Sequence, residues 1–302
     1  MDAQLIGEIL RKVRQVEIQT NRLVDDSLAG QYHSVFKGRG MNFDEVREYV
    51  PGDEVRTIDW KVTARTGQPF VKKFVEEREL TILLLMDVSA SGDFGSAAQS
   101  KRERMAELGS VLAFSAVRNN DKVGLVLFTD EVELFIPPAK GRSHILRVIR
   151  EILFFQPRGR RTNLAAPLDF ANRVMRRRAV TFLVSDFCLA GDYTSALDAL
   201  RPKLQVTGRH HDVVAVSVAD RRENELPAIG LLTIEDAETG EQIELNTGRA
   251  ELRQSFAEYA RQCRRQLRRT IRSCGVELLE LSTDKPYLPA LMTFFSNRKA
   301  RR

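Results

Sequence analysis

The sequence predicts an α/β protein: a doubly wound, mostly parallel sheet with one antiparallel edge strand. Three observations predict it. Residues 80–86, 122–128, 180–185 and 212–218 are short apolar runs without polar alternation, the pattern of strands buried on both faces. Between them lie longer segments whose apolar residues recur at helical spacing. The Thr129-Asp130-Glu131 link between the second run and residues 132–136 is too short for a crossover, so that pair is antiparallel.

Taken in order, residues 3–28 carry Ile6, Ile9, Val13, Val16 and Leu23 at helical spacing and predict an amphipathic helix. Residues 29–68 are rich in glycine, charge and aromatics and have no clean period. They hold a Pro51-Gly52-Asp53 turn and the only tryptophan, Trp60, whose ring is expected to be buried. Residues 70–75 read as an edge strand or hairpin arm leading into the strand at 80–86. A helix over 99–119 places Met105, Leu108, Leu112 and Ala116 on one stripe. After the antiparallel pair come helices at 143–154 and 163–177, a strand at 179–185, a helix at 192–204 and a strand at 211–218. Residues 230–247 read as a hairpin inserted before a long helix, 249–274, and a last strand at 276–281. The tail from Arg298 to Arg302 is expected to fray. This divides the chain into 1–78, an N-terminal helix with an irregular or β extension, and 79–302, the α/β domain.

The 302 residues suffice for a substantial core, and 43% hydrophobic with 29% charged residues is ordinary for a globular protein. No apolar stretch approaches the roughly 20 residues of a membrane span. Residues 1–10 lack the basic and apolar regions of a secretory signal. Cys188, Cys263 and Cys274 show no metal-finger spacing, and a reducing, cytoplasmic setting is expected. The net charge of +6 permits an acidic partner or a nucleic acid without requiring either.

The chemistry concentrates after the central strand. Asp87-Val88-Ser89-Ala90-Ser91 leaves its carboxyl end, where open α/β sheets place ligands. One carboxylate and two hydroxyls are hard oxygen donors of the kind Mg²⁺ or Mn²⁺ takes. Thr162 stands at a loop-to-helix junction, and Asp186 ends the 180–185 run. Asp87, Ser89, Ser91, Thr162 and Asp186 together resemble the metal-ion-dependent adhesion site of von Willebrand factor A domains. That resemblance implies hydroxyls that ligate a divalent cation, aspartates that act partly through water, and an exchangeable position for a partner's carboxylate. The competing reading makes Asp87 and Asp186 helix caps and turns the hydroxyls to loop backbone.

Upstream, Phe43-x-x-x-Arg47-x-Tyr49, Pro51-Gly52-Asp53, Ile58-Asp59-Trp60 and Ala64-Arg65 are similar to the signature of the bacterial domain-of-unknown-function 58 family. The resemblance runs from about Phe36 to Leu281. It implies a von Willebrand A-like fold and a non-enzymatic adaptor or co-chaperone role beside a MoxR-type AAA+ ATPase. A haloacid-dehalogenase-type phosphotransferase would need a carboxylate where Ser89 stands. No GxxxxGK[ST] loop is present, and His33, His144, His210 and His211 lie away from the site, the last two on opposite faces of a strand.

Basic residues offer an alternative. Arg261, Arg264, Arg265, Arg268, Arg269 and Arg272 fall on one face of the 249–274 helix, opposite Leu252, Phe256, Tyr259, Cys263, Leu267 and Cys274. Arg264 and Arg268 could bind an acidic partner or nucleic acid. Arg158, Arg160 and Arg161 flank the metal loop and could steer an acidic ligand to it. A metal-dependent phosphoesterase ranks third, for want of a second metal or a general base.

Overall fold

The computed structural model describes residues 42–75 and 79–301. The helix expected over 3–28 lies outside them. The chain divides into two compact units, Phe36–Leu80 and a larger one that includes Thr81–Arg302.

In the smaller unit, β1 (Asn42–Glu48) pairs antiparallel with β2 (Phe70–Val75) in a sheet of their own. Of the two alternatives for residues 70–75, the hairpin arm holds and the edge strand of the central sheet does not. The Pro-Gly-Asp turn follows β1, and Asp53 locks it. Its carboxylate accepts the Val50 amide at 2.9 Å and both terminal nitrogens of Arg47 at 2.7 and 2.8 Å. The Arg47 guanidinium holds the Asp53 carboxyl below its ordinary pKa. Asp59 caps α1 (Trp60–Thr66) by accepting the Lys61 and Val62 amides. Gly67, at φ 74°, ends this helix in the left-handed region. Because Trp60 is the first residue of this short helix, its ring turns outward and is 67% exposed, not buried.

The larger unit is built on a six-stranded sheet whose strands run, edge to edge, 277–282, 212–219, 180–185, 81–87, 122–128 and 132–139. Its central strand, β3 (Thr81–Asp87), is flanked in parallel by β4 (Lys122–Phe128) and β6 (Val180–Ser185). β7 (Asp212–Ala219) and β10 (Glu277–Ser282) extend it in parallel, and β5 (Val132–Ala139) closes the other edge antiparallel to β4. This is the mostly parallel sheet with one antiparallel edge that the apolar runs predicted. Ile82, Leu83, Leu84 and Leu85 are wholly buried, because helices cover both faces. Each such side chain contributes about 1.5–3 kcal/mol by leaving water.

On one face, α4 (Ala165–Val174), α5 (Tyr193–His210) and α6 (Ala250–Ser273) pack Leu168, Leu200, Leu204, Leu267 and Ile271 against Leu83, Leu85 and Leu183. On the other, α2 (Lys101–Arg118) lies beside α3 (Arg142–Phe154). A side chain at Gly109 would come within 3.2 Å of both Met86 and Ile152, so a glycine lets α2 approach sheet and neighbour. β8 (Leu231–Glu235) and β9 (Gln242–Asn246) form the inserted hairpin.

Several expectations change here. α5 runs to His210, so the 210–211 pair sits at a helix end and cap, not on a strand. Tyr259 is 60% exposed despite its place on the apolar side of α6. Through Arg301 the expected frayed tail is helical: α7 (Tyr287–Arg301) packs on the sheet edge. Arg298, 4% exposed, pairs with Asp212 and lies 2.9 Å from Glu277.

Candidate metal centre

Register decides which residues meet at the carboxyl edge. Asp87 lies level with Phe128, and Met86 with Val184, which brings Ser185 and Asp186 beside Asp87. The Val88 amide continues the ladder to the Phe128 carbonyl at 2.9 Å. The chain then turns through a 3₁₀ segment, Ala90–Asp93, that carries Ser91 inward. Arg102, from the first turn of α2, donates to the Val88 and Ser89 carbonyls and pins this loop.

Asp87 is 3% exposed. One of its oxygens accepts the Ser89 amide at 2.9 Å, and the other accepts the Ser185 hydroxyl at 2.6 Å. Burial, and after it the charge of Asp186, raises its pKa to about 6 against those hydrogen bonds. Asp186 accepts the Cys188 amide at 2.9 Å. The next residue, Phe187, is buried with φ 55°, a sparsely populated conformation for a bulky side chain that bends the backbone away directly after Asp186.

The second oxygen of Asp186 meets Lys101 Nζ at 2.6 Å. Lys101 is 1% exposed and also contacts Glu223. Burial opposes its charge, but Asp186 and Glu223 outweigh burial and hold the ammonium above its ordinary pKa. Burial conversely raises Glu223.

Thr162 arrives on a separate loop. The Arg158 and Gly159 amides donate to Glu133 at 2.7 and 2.9 Å, strapping the loop to β5. A Cβ at Gly159 would lie 2.3 Å from Asp130 Oδ1 and 2.4 Å from Thr129 Oγ1, so the close approach requires glycine. The Arg160 carbonyl accepts the Ala90 amide at 3.0 Å, which binds this loop to the one carrying Ser89 and Ser91. Thr162 Oγ1 donates to Glu238 at 2.6 Å, and Arg160 donates to the Ala237 carbonyl at 2.9 Å. Burial first, then the charge of Asp186, raises the Glu238 pKa.

The sequence-selected residues thus occupy neighbouring loops at one end of the sheet. Each aspartate accepts the backbone amide two residues on, in a loop, but neither caps a helix: Ser89, Ser100 and Asp192 hold those positions, so the helix-cap part of the competing reading fails. The hydroxyls do not follow that reading either: Ser89 Oγ and Ser91 Oγ face each other at 3.1 Å, and Thr162 turns to a carboxylate. Mg²⁺–oxygen distances of about 2.0–2.1 Å place adjacent corners of an octahedron about 3 Å apart, so the serine pair fits one edge of such a shell. Charge fits as well: Lys101 pairs with Asp186 and Glu223, while Asp87 and Glu238 bring two further carboxylates to the same edge. Among the described residues no three His, Cys, Asp or Glu side chains converge on a point, so this donor set depends on its hydroxyls.

Sequence reasoning missed Lys101, Ser185, Glu223 and Glu238. The flanking arginines are Arg158, Arg160 and Arg161. All three are exposed, and Arg160 is in addition tied to the hairpin. Arg264 and Arg268 line a different cleft of about 460 Å³ at the carboxyl ends of β7 and β10, and Arg268 pairs with Glu280 at 2.6 Å.

Fold and site together define an α/β protein with clustered oxygen donors at the carboxyl edge of a parallel sheet. A family model described as protein of unknown function DUF58 matches residues 45–266, and the chain belongs to that family. It is 34% identical over 289 residues to the uncharacterized protein Rv1480 of Mycobacterium tuberculosis and to Mb1516 of Mycobacterium bovis, covering 95% of this chain and 89% of each relative. The uncharacterized protein YeaD of Bacillus subtilis is 30% identical over 107 residues, 35% of this chain and 25% of YeaD. Among solved structures, the conserved hypothetical protein BatB of Bacteroides thetaiotaomicron matches with a TM-score of 0.44 at 15% identity, over 74% of this chain and all of BatB. The SpRpn10 VWA domain matches with a TM-score of 0.37 at 14% identity, over 72% of this chain and 94% of that domain. Among the described residues no helix is long and apolar enough to cross a membrane.

Proposed function

We propose that this protein is a divalent-cation-dependent interaction module that captures an acidic side chain of a protein partner. The observation that carries the reading is the facing pair of Ser89 and Ser91 hydroxyls beside the buried carboxylates Asp87 and Asp186. Ser89, Ser91 and Thr162 would hold Mg²⁺ or Mn²⁺ directly, with the aspartates balancing its charge. The bound ion would supply an electrophilic position for a carboxylate. Lys101 fixes Asp186, Ser185 fixes Asp87, and Arg102 fixes the loop, so these groups keep their places when a ligand arrives. Arg158 and Arg161 steer acidic groups inward.

The role is adaptor-like rather than enzymatic. The carboxylates that would have to activate water are engaged in hydrogen bonds or an ion pair, which suits binding better than proton transfer. A MoxR-type AAA+ ATPase, or its client, is the partner in this reading, and the cytoplasm is its setting. The test is capture of a co-expressed MoxR-type ATPase in Mg²⁺, in EDTA, and with Ser89→Ala. Capture should require both the cation and the hydroxyl. Capture that survives EDTA and the substitution overturns the reading.

A nucleic-acid role rests on the outward arginines of α6. It predicts binding that weakens steeply with salt and fails on charge reversal at Arg264 and Arg268.

A further inference from the structure

The inserted hairpin places an acidic side chain of this same chain against the site. Glu238 stands in the turn joining β8 to β9, and the turn is stiffened around it. Asp236 Oδ1 accepts the Glu238 and Thr239 amides at 2.8 and 3.1 Å, and the Asp236 carbonyl accepts the Gly240 amide at 2.7 Å. Gly240 supplies the φ of 75° that the return requires. The turn is also held from the other side by the Arg160 guanidinium on the Ala237 carbonyl. Glu238 is half-buried, and one of its oxygens lies 2.6 Å from the Thr162 hydroxyl. A hydroxyl that ligates a hard cation through oxygen keeps its proton and can still donate it to a neighbouring carboxylate.

We infer that Glu238 is an internal ligand of the cation site, seated where a partner's carboxylate would otherwise bind. This rests on the cation-site reading proposed above. Ordinary hairpin turns with a Glu-Thr-Gly-Glu sequence project their acids into water. Here a hydrogen bond from a proposed ligand and a strap from the adjacent loop hold one acid in place. The consequence is selective. A tethered carboxylate competes at an effective concentration in the millimolar range, so small free acids fail to displace it. A protein partner succeeds only if its other contacts make up the difference. Glu238 then determines specificity by rejecting weak acidic ligands.

The experiment uses the full chain with Mn²⁺ as probe, reading affinity by electron paramagnetic resonance and bound water by proton relaxation. Wild type, Ser89→Ala and Glu238→Gln are compared, with circular dichroism confirming that each is folded. Wild type should bind one Mn²⁺ and Ser89→Ala should lose it. Glu238→Gln should bind roughly tenfold or more weakly. Once saturated, it should show higher water relaxation and a response to added acetate that wild type lacks. No Mn²⁺ uptake by wild type overturns the cation site, and this inference with it. Uptake by wild type with unchanged affinity, relaxation and acetate response in Glu238→Gln overturns this inference alone and leaves the hairpin contact a structural strap.

Discussion

The carboxyl edge of β3 and β6 and the outer face of α6 are both dense in charge, yet their charges are handled in opposite ways. At the sheet edge the side chains of Asp87, Lys101 and Asp186 are nearly inaccessible, and each is fixed by named partners. Lys101 alone answers two carboxylates, Asp186 and Glu223. On α6, Arg261, Arg265, Arg268, Arg269 and Arg272 are exposed, and the ion pair of Arg268 with Glu280 is itself open to solvent. Buried charges must be matched in place, because an unmatched one has no water to turn to. Solvated charges are matched by water and salt, so their number says little about stability.

The sharpest way to break this contrast is Lys101→Met. It leaves Asp186 and Glu223 without their shared cation in a buried setting, and removal of one member of such a group costs about 3–5 kcal/mol. Urea unfolding in EDTA measures it. A loss below about 1 kcal/mol, the range of an exposed pair, would show that water reaches these carboxylates and that the two regions do not differ in kind.

What the sequence revealed follows the same division. β3 and β6 were legible because unbroken apolar runs such as Ile82–Leu85 have few other uses, and Asp87 and Asp186 were legible because each ends such a run. Lys101 was not, since Lys-Arg-Glu-Arg at the start of α2 reads as a solvated first turn. Glu238 sits in a hairpin turn whose composition signals exposure, and only the fold brings it to Thr162. α7 was missed because Pro286 and Pro289 punctuate its start. Pro289 falls in the first turn, where a missing amide costs no helical hydrogen bond, so the helix tolerates it. In sequence, Arg298 belongs to a basic tail, and nothing local announces Asp212 and Glu277 as its partners.

A smaller effect sharpens the buried side through pH. Asp220, fully buried at the end of β7, accepts the Ser96 amide at 2.9 Å, the Thr283 hydroxyl at 2.6 Å and the Arg222 amide at 2.8 Å. Burial raises its pKa, but these hydrogen bonds overcome burial and bring it from 3.8 down to about 2. A carboxyl depressed in the folded state stabilises the protein above its unfolded pKa, and that stability is lost as pH falls through the folded one. The contribution is roughly 2 kcal/mol, present above about pH 4 and gone by about pH 2. Asp220→Asn should flatten the stability profile over that window in chemical unfolding. A profile of unchanged slope would remove Asp220 from the group of charges held by the fold.

The smallest effect belongs to the arginine face. Arg268→Ala removes a partly exposed ion pair with Glu280, and Arg264→Ala removes a charge at the rim of the neighbouring cleft. Surface pairs of this kind contribute about 0–1 kcal/mol, so both variants should unfold within about 1 kcal/mol of wild type, and the Arg268 effect should shrink further in high salt. If Arg268→Ala instead cost as much as Lys101→Met, the face of α6 would be a structural ion-pair network. Its arginines would then be committed to β10 through Glu280 rather than open to an acidic ligand, and an acid group would find its better-prepared place at the proposed cation site.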